Sequence, residues 1–260
     1  MKRVFDELFH HRDLLYMLTW KEIRIRYKQS LMGFLWALLM PLLIVGAGVL
    51  MKEAYAFASH ARVDWADVIG VAVKAVLWAF FVSAVKFGAS SLISNANLVT
   101  KIYFPREILP LASVFSSFFD FLVAAIFLSA VMALSRVGLS IQLLWVPVIV
   151  LILLMITAAV TIALSCANLF FRDVKYLVDV VFAYGILFTP VLYSAKVFGK
   201  WAPALLLNPV ASVLESINDV VILRHAPSLW LGYAGGFAVV GLVISCVFFK
   251  KAEPWFAQEI

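Results

Sequence analysis

Three charged side chains stand inside long apolar runs of this 260-residue chain: Lys74, Lys86 and Asp120. A charge at membrane depth costs roughly 3 kcal/mol or more, so such residues usually pair with one another or mark a transport path. Measured from the same ends of their helices, Lys86 lies about 7 residues in and Asp120 about 11, a depth gap of ~6 Å at ~1.5 Å per residue. A lysine stem covers much of that gap, which makes the two candidates for a buried ion pair. The alternative is that Lys86 snorkels to the interface and Asp120 is held by hydrogen bonds alone. A proton relay would need more acids than this. The sequence assigns Lys74 no role.

No catalytic constellation accompanies these charges. The H-E-x-x-H and G-x-S-x-G patterns and paired His/Cys ligands are all missing, so no catalytic residue and no metal ligand is expected. The four histidines, His10, His11, His60 and His225, lie near or outside the edges of apolar runs. Cys166 and Cys246 each sit within an apolar run and read as small core residues. Gly199-Lys200 is followed by Trp201, and Ser194 stands where a P-loop needs its first glycine. By that route the chain cannot bind ATP, so any ATP dependence must come from a partner.

Composition fixes the solvent. Hydrophobic residues make up 65% of the chain and charged ones 14%, with a mean hydropathy of +1.02. Soluble domains are about 45–50% apolar and about 25% charged. A water-soluble fold of this length could not hide so much apolar surface. The expected class is therefore an all-α integral membrane protein, a single transmembrane domain over 1–260. Aromatics at 15% suit interfacial belts. The net charge of +6 is gathered in short clusters between apolar runs, where it sets orientation and not nucleic-acid binding.

Six spans are the most economical count. They fall at 31–51, 68–93, 109–134, 143–169, 176–194 and 228–249, leaving a tail at 250–260. An even number puts both termini on one side. That side collects thirteen lysines and arginines against six opposite, with Lys74 and Lys86 completing the 21. The bias places both termini in the cytoplasm. No cleavable signal is expected, since about 30 residues precede the first span and no small-residue cleavage site follows it.

Two further segments have a character of their own. Asp13 is a plausible N-cap for a helix over 14–28, with 1–30 as a cytoplasmic interfacial element. On it Tyr16, Trp20, Ile23 and Tyr27 form an aromatic stripe, and Lys21, Arg24 and Lys28 a basic one beside it. Rings at headgroup level and cations toward anionic lipid are what an interfacial helix needs. The second is 195–227, too apolar for an ordinary loop. Its uncharged run at 202–214 is short of a span and is broken by Asn208-Pro209. It is expected to form a short re-entrant hairpin gating an exit, the alternative being a helix flat on the outer surface.

Three stretches together resemble the permease subunits of ABC-2 type polysaccharide exporters, the family that moves O-antigen, capsule and teichoic-acid chains. The first is Trp20-Lys21-Glu22-Ile23-Arg24-Ile25-Arg26-Tyr27, then Leu31-Met32-Gly33-Phe34-Leu35-Trp36-Ala37 with Pro41 beyond. The second runs from Asn95-Ala96-Asn97 through Lys101-Ile102-Tyr103-Phe104-Pro105-Arg106-Glu107 to Pro110. The third is Asn168-Leu169-Phe170-Phe171-Arg172-Asp173-Val174, followed by Thr189-Pro190-Val191-Leu192-Tyr193 and Asn208-Pro209. Their order and spacing cover nearly the whole chain. One departure stands out: Lys74 and Leu77 precede Trp78, where this family often has a glycine and a proline.

The resemblance implies a homodimer in the bacterial inner membrane, served by two ABC ATPase subunits that bind ATP and Mg; this chain itself would carry no cofactor. A channel between the two copies would pass a lipid-linked polysaccharide outward, with membrane lipid around it and no nucleic acid involved. Asn208 and Pro209 would belong to the outer gate. Rings pack on the C–H faces of sugars without tight polar capture, and Trp36, Trp78 and Phe81 are the candidates for that path. The connection 95–107 is expected to be the surface gripped by the ATPase, through Asn97, Lys101, Tyr103, Phe104, Pro105, Arg106 and Glu107. Pro105 and Pro110 would stop a short helix there, with bulky apolar groups beside charged ones. Two other classes remain: an ion-coupled transporter or channel, which needs no ATPase, and a membrane-embedded enzyme, which needs a polar cluster at shared depth.

Overall fold

Inside hydrocarbon each backbone N–H and C=O must be satisfied within its own segment, so long uncharged runs fold as helices. The computed structural model describes residues 10–28, 35–59, 65–102, 104–134 and 140–256; the side chains at 36, 37, 40, 41, 51, 52, 54–59 and 65–67 also lie outside the described set. Among the described residues the regular structure is helical, without strands.

Helix α1 is Arg12–Lys28, α2 Leu35–Ser59 and α3 Trp65–Ala89. Two short helices follow, α4 Ser91–Ser94 and α5 Ala96–Lys101, then α6 Ile108–Leu134. A 3-10 turn at Ile141–Trp145 leads into α7 Val146–Phe170, with the Ser140 hydroxyl accepting from the Gln142 amide at 3.3 Å. Next come α8 Val174–Phe188, a 3-10 turn Ala195–Trp201, α9 Ala202–Leu206 and α10 Pro209–Asn218. A π turn, Asp219–Leu223, ends on Arg224 in the left-handed region (φ 57°). The last elements are α11 Trp230–Ala252 and a 3-10 turn Glu253–Trp255.

Among the described residues four stretches are long and apolar enough to cross a membrane: Val68–Ala89, Ile108–Ala133, Ile141–Phe170 and Trp230–Trp255. Three of the expected spans depart from their sequence bounds. The first apolar run continues as helix to Ser59, beyond the expected 51. The second breaks at Ala89 into the separate turn α4. The fifth ends at Phe188, short of the expected 194, because Pro190 disfavours helical geometry at Thr189, which is extended (φ −109°, ψ 132°).

Helix α3 is the hub, packed against α2, α6, α7, α8 and α10. Of its apolar window 67% is buried, against 22–33% for the other three. Lipid gives helices little hydrophobic reason to associate, so close packing of small residues has to hold them. The closest approach is at Gly88, where an added Cβ would lie 2.0 Å from Thr161 Cγ2 on α7. A second apolar cluster closes one end of the bundle. It joins Leu18 of α1, Val99 of α5, Phe104, Ile108 of α6, Leu169 of α7, and Phe249 and Phe256 at the end of the chain.

Within 195–227, Gly199 takes a positive φ of 51° that a side chain would strain, and it turns the chain into α9. Asn208 caps α10, its Oδ1 accepting from the Val210 amide at 3.0 Å, with Pro209 in the first turn. Helix α10 then packs among α3, α7 and α11. Every residue from Val210 to Ile217 is buried, so α10 has no exposed face there, unlike a helix lying flat on a surface.

Candidate functional site

The ends of α1 and α3 meet α6 and α8 around a cavity of about 710 Å³. Its walls are apolar and aromatic, with Trp78, Phe80 and Phe87 from α3 and Phe121 from α6. Five charges border it: Arg26, Lys86, Asp120, Lys175 and Asp179. Arg26 forms an ion pair with Asp120, and the Tyr27 hydroxyl donates to the other oxygen of the same carboxylate. Burial, then that carboxylate, push the Tyr27 phenol well above its ordinary range, with Arg26 opposing. The Arg26 guanidinium lies 4.2 Å from the centroid of the Phe87 ring. Lys86 pairs with Asp179 of α8 at 2.8 Å.

The expected Lys86–Asp120 pair therefore does not form. Both side chains face the same cavity, but α1 packs on α6 and delivers a nearer cation to Asp120. The same packing divides the aromatic stripe of α1. Tyr16 and Trp20 point outward, 69% and 45% exposed, with Lys21, Arg24 and Lys28 also exposed. Ile23 is buried against the bundle and Tyr27 turns to Asp120. Between them Glu22 is drawn in: Ser113 donates to it at 2.9 Å, yet burial raises its pKa above the usual carboxylate value.

Of the three path candidates, Trp78 lines the cavity. Phe81 is buried against Trp78 and Phe182, its ring edge-on to Phe182 at 5.5 Å. That packing makes Phe81 a support for Trp78 and not a surface of its own. The side chain of Trp36 lies outside the described residues.

The connection 95–107 is folded inward at its end, at Phe104, where the sequence suggested an exposed apolar anchor. Phe104, Pro105 and Glu107 are buried, and Tyr103 lies outside the described residues. What α5 exposes is Asn97, Thr100 and Lys101, with Ile102 just beyond. Lys21 of α1 donates to the Asn95 side chain at 3.1 Å. The Glu107 carboxyl is buried, which raises its pKa, while Lys250 at 3.3 Å pulls the other way.

Two anchors escaped the sequence reading. Lys74, 3% exposed, donates to the Tyr193 carbonyl and lies 3.4 Å from Glu215 Oε1 on α10. Glu215 also accepts from the Ala195 amide at 3.1 Å and the Ser194 hydroxyl at 3.2 Å. This cluster ties α3, the end of α8 and α10 together, and Asn208 adds a bond to Thr189 Oγ1 at 3.3 Å. The isolated lysine was visible in the sequence; its partner 141 residues away was not. Asn168 is the other. Its amide donates to the Ala89 carbonyl at 2.9 Å and its Oδ1 accepts from the Lys175 amide at 3.1 Å. It thus caps the end of α3 and the start of α8 together, and Lys175 stands at the cavity rim. Among the described residues no group of three or more His, Cys, Asp or Glu is placed to hold a metal ion.

Residues 13–222 match the model of the ABC-2 type transporter family. Among similar proteins is the O-antigen export system permease protein RfbA of Klebsiella pneumoniae, 29% identical over 95% of this chain and 94% of that one. The Myxococcus xanthus protein of the same name is 29% identical over the full length of both. A further Klebsiella pneumoniae protein of that name is 28% identical, again over 95% and 94%.

Proposed function

This chain belongs to the ABC-2 type transporter family, and from that premise we propose that it is the membrane subunit of an ATP-driven exporter of a lipid-linked polysaccharide. Two copies of the chain, each served by an ABC ATPase subunit on the cytoplasmic side, make up the machine in this reading. ATP and Mg belong to the ATPase. The relatives' names supply the cargo class.

The observation that carries the reading is the cavity between α1, α3, α6 and α8, aromatic along its walls and charged around its rim. An amphipathic cargo, a phosphorylated lipid with a sugar chain, needs both kinds of surface. Six spans with both termini cytoplasmic put the cavity's charged groups near the inner face. In this arrangement α1 lies in the cytoplasmic interface, with Tyr16 and Trp20 turned to headgroups, and α9 and α10 form a re-entrant hairpin that closes the outer end. The exposed face of α5, Asn97, Lys101 and Ile102, is the part of the connection left for the ATPase to grip. Asn208 and Pro209 set the start of the gate helix.

The test is reconstitution with the partner ATPase in proteoliposomes, following transfer of lipid-linked polysaccharide. Export should require ATP hydrolysis and should stop with Lys101→Glu/Ile102→Asp, which changes only exposed residues of the connection. Movement driven by an ion gradient without ATP would instead select a secondary transporter.

A further inference from the structure

We propose that the C-terminal segment 250–256 is a positioning clamp that holds the connection 95–107 and links it mechanically to α11; the proposal rests on the reading of that connection as the ATPase-coupling element. The chain does not leave the bundle at the end of α11. Pro254 turns it back through Glu253–Trp255, and Phe256 enters the end cluster fully buried, its ring edge-on to Phe249 at 5.0 Å and 6.0 Å from that of Phe170.

Arg106 reaches this segment from the connection with three kinds of contact. Its amide donates to Glu253 Oε1 at 3.3 Å, its Nη1 donates to the Glu253 carbonyl at 2.7 Å, and its guanidinium lies 5.7 Å from the Phe256 ring centroid. The same guanidinium donates through Nη2 to the Val99 carbonyl at 3.2 Å, so one side chain spans α5 and the tail. Lys250 completes the clamp, 3.3 Å from Glu107 and 3.2 Å from Glu253.

The physical need for a clamp follows from length. Helix α5 has six residues, far below what holds a helix together alone in water, so its position is imposed from outside. Beyond the chain itself, a push on Asn97 or Lys101 reaches the spans through the groups that grip the connection, the packing of Val99 and Phe104 in the end cluster among them. One grip is Lys21 of α1, which holds Asn95. The tail is another long-range one, and it is continuous with α11, which packs along α7 and α10. Force on α5 can thus pass through Arg106 and Glu253 to the helix that flanks α10. Glu253 and Phe256 act through Arg106 and are positioning residues.

The test uses the full complex and three variants, Phe256→Ala, Phe256→Leu and Glu253→Ala. Hydrogen exchange should quicken about tenfold or more at 96–106 in Phe256→Ala and Glu253→Ala, with the spans unchanged and Phe256→Leu near parental. Polysaccharide exported per ATP hydrolysed should fall at least about fivefold in the same two variants, while ATPase binding and basal hydrolysis hold and Phe256→Leu recovers coupling. Parental exchange at 96–106, parental export per ATP, or loss of ATPase binding in Glu253→Ala each overturns the clamp. Should Phe256→Ala fail to fold, Glu253→Ala decides. Absence of ATP-dependent export by the parental complex sinks the transport reading itself; parental export with unaltered variants sinks only the clamp.

Discussion

Asp120 sits where two donors from α1 converge, and the ion pair with Arg26 leaves only 19% and 18% of the two side chains exposed. Removing the carboxylate strands a cation in a poorly solvated place, which costs about 3 kcal/mol. Thermal unfolding of detergent-solubilised Asp120→Asn should show that loss, and Arg26→Gln added to it should recover part of it. Lys86→Gln added to Asp120→Asn should only sum, since Lys86 belongs to Asp179. That second pair is 39% and 51% exposed, so breaking it alone costs about 0.5 kcal/mol. Counting depth along spans found the right charges and the wrong partners, because Arg26 arrives from a helix whose packing on α6 no residue spacing announces. Glu107 gives the pH dependence. Burial raises its pKa in the fold above the ordinary 4.5, with Lys250 and a backbone hydrogen bond only partly offsetting this. A raised acid is favourable below the unfolded value and turns costly as pH climbs through the folded one. Glu107→Gln should therefore raise the melting temperature near pH 8 and leave it unchanged near pH 4. An equal shift at both pH values would count against this assignment.

At the scale of elements, the α3–α7 crossing depends on a missing side chain. Gly88→Ala would drive a methyl to within 2.0 Å of Thr161 Cγ2, and overpacking of that kind costs about 1–3 kcal/mol. Among the described residues the buried Thr161 hydroxyl has no hydrogen-bond partner, so Thr161→Ala should be nearly neutral alone and should rescue Gly88→Ala in melting experiments. The segment 195–218 depends instead on a buried pair. Lys74→Met leaves Glu215 inside the bundle with two hydrogen bonds and no cation, a loss of about 3 kcal/mol or more, and Lys74→Met/Glu215→Gln should regain part of it. Hydrogen exchange should place the loosening at 195–218 in the single variant. Most helices here were legible as uncharged runs ended by charge or proline, and the Asn208-Pro209 start of α10 by its cap. The burial of α10 was legible only as a length too short to span. What could not be read was the partner of Lys74, since sequence separation hides a contact between α3 and α10. Nor could the inward turn of Phe104: the 102–104 triplet is bulky and apolar whether it faces a partner protein or the end cluster, and only the ring of Phe249 and the returning Phe256 decide the matter.

For the whole molecule, the question is how α8 would complete a crossing in the proposed six-span arrangement. Its 15 residues give ~22 Å of helix at ~1.5 Å per residue, against ~30 Å of hydrocarbon. The residues after it, Thr189 to Ser194, leave helical geometry, and such backbone is tolerated at depth only when protein covers it. It is covered: Thr189 and Val191 are 2% and 0% exposed, Asn208 bonds Thr189, and Lys74 takes the Tyr193 carbonyl. In the proposed six-span arrangement a fifth crossing built this way would rely on α3 and α10 to finish it; apolar length alone placed its end at 194, whereas the helix stops at Phe188. The six-span arrangement then makes a claim about sides. With Cys166 and Cys246 replaced by alanine, single cysteines at Asn97 and Asp173 should react with a membrane-impermeant maleimide only after the membrane is opened. Cysteines at Ile141 and Val197 should react in intact spheroplasts. All four native residues are exposed, and Ile141 and Val197 are 78% and 77% so, which keeps access from limiting the reaction. Adding Lys74→Met should leave the side of each label unchanged, since 195–218 loosens without the chain changing its crossings. Reaction at Val197 from the same side as Asp173 would mean that α8 turns back before the outer face, and the count of spans would fall to an odd number.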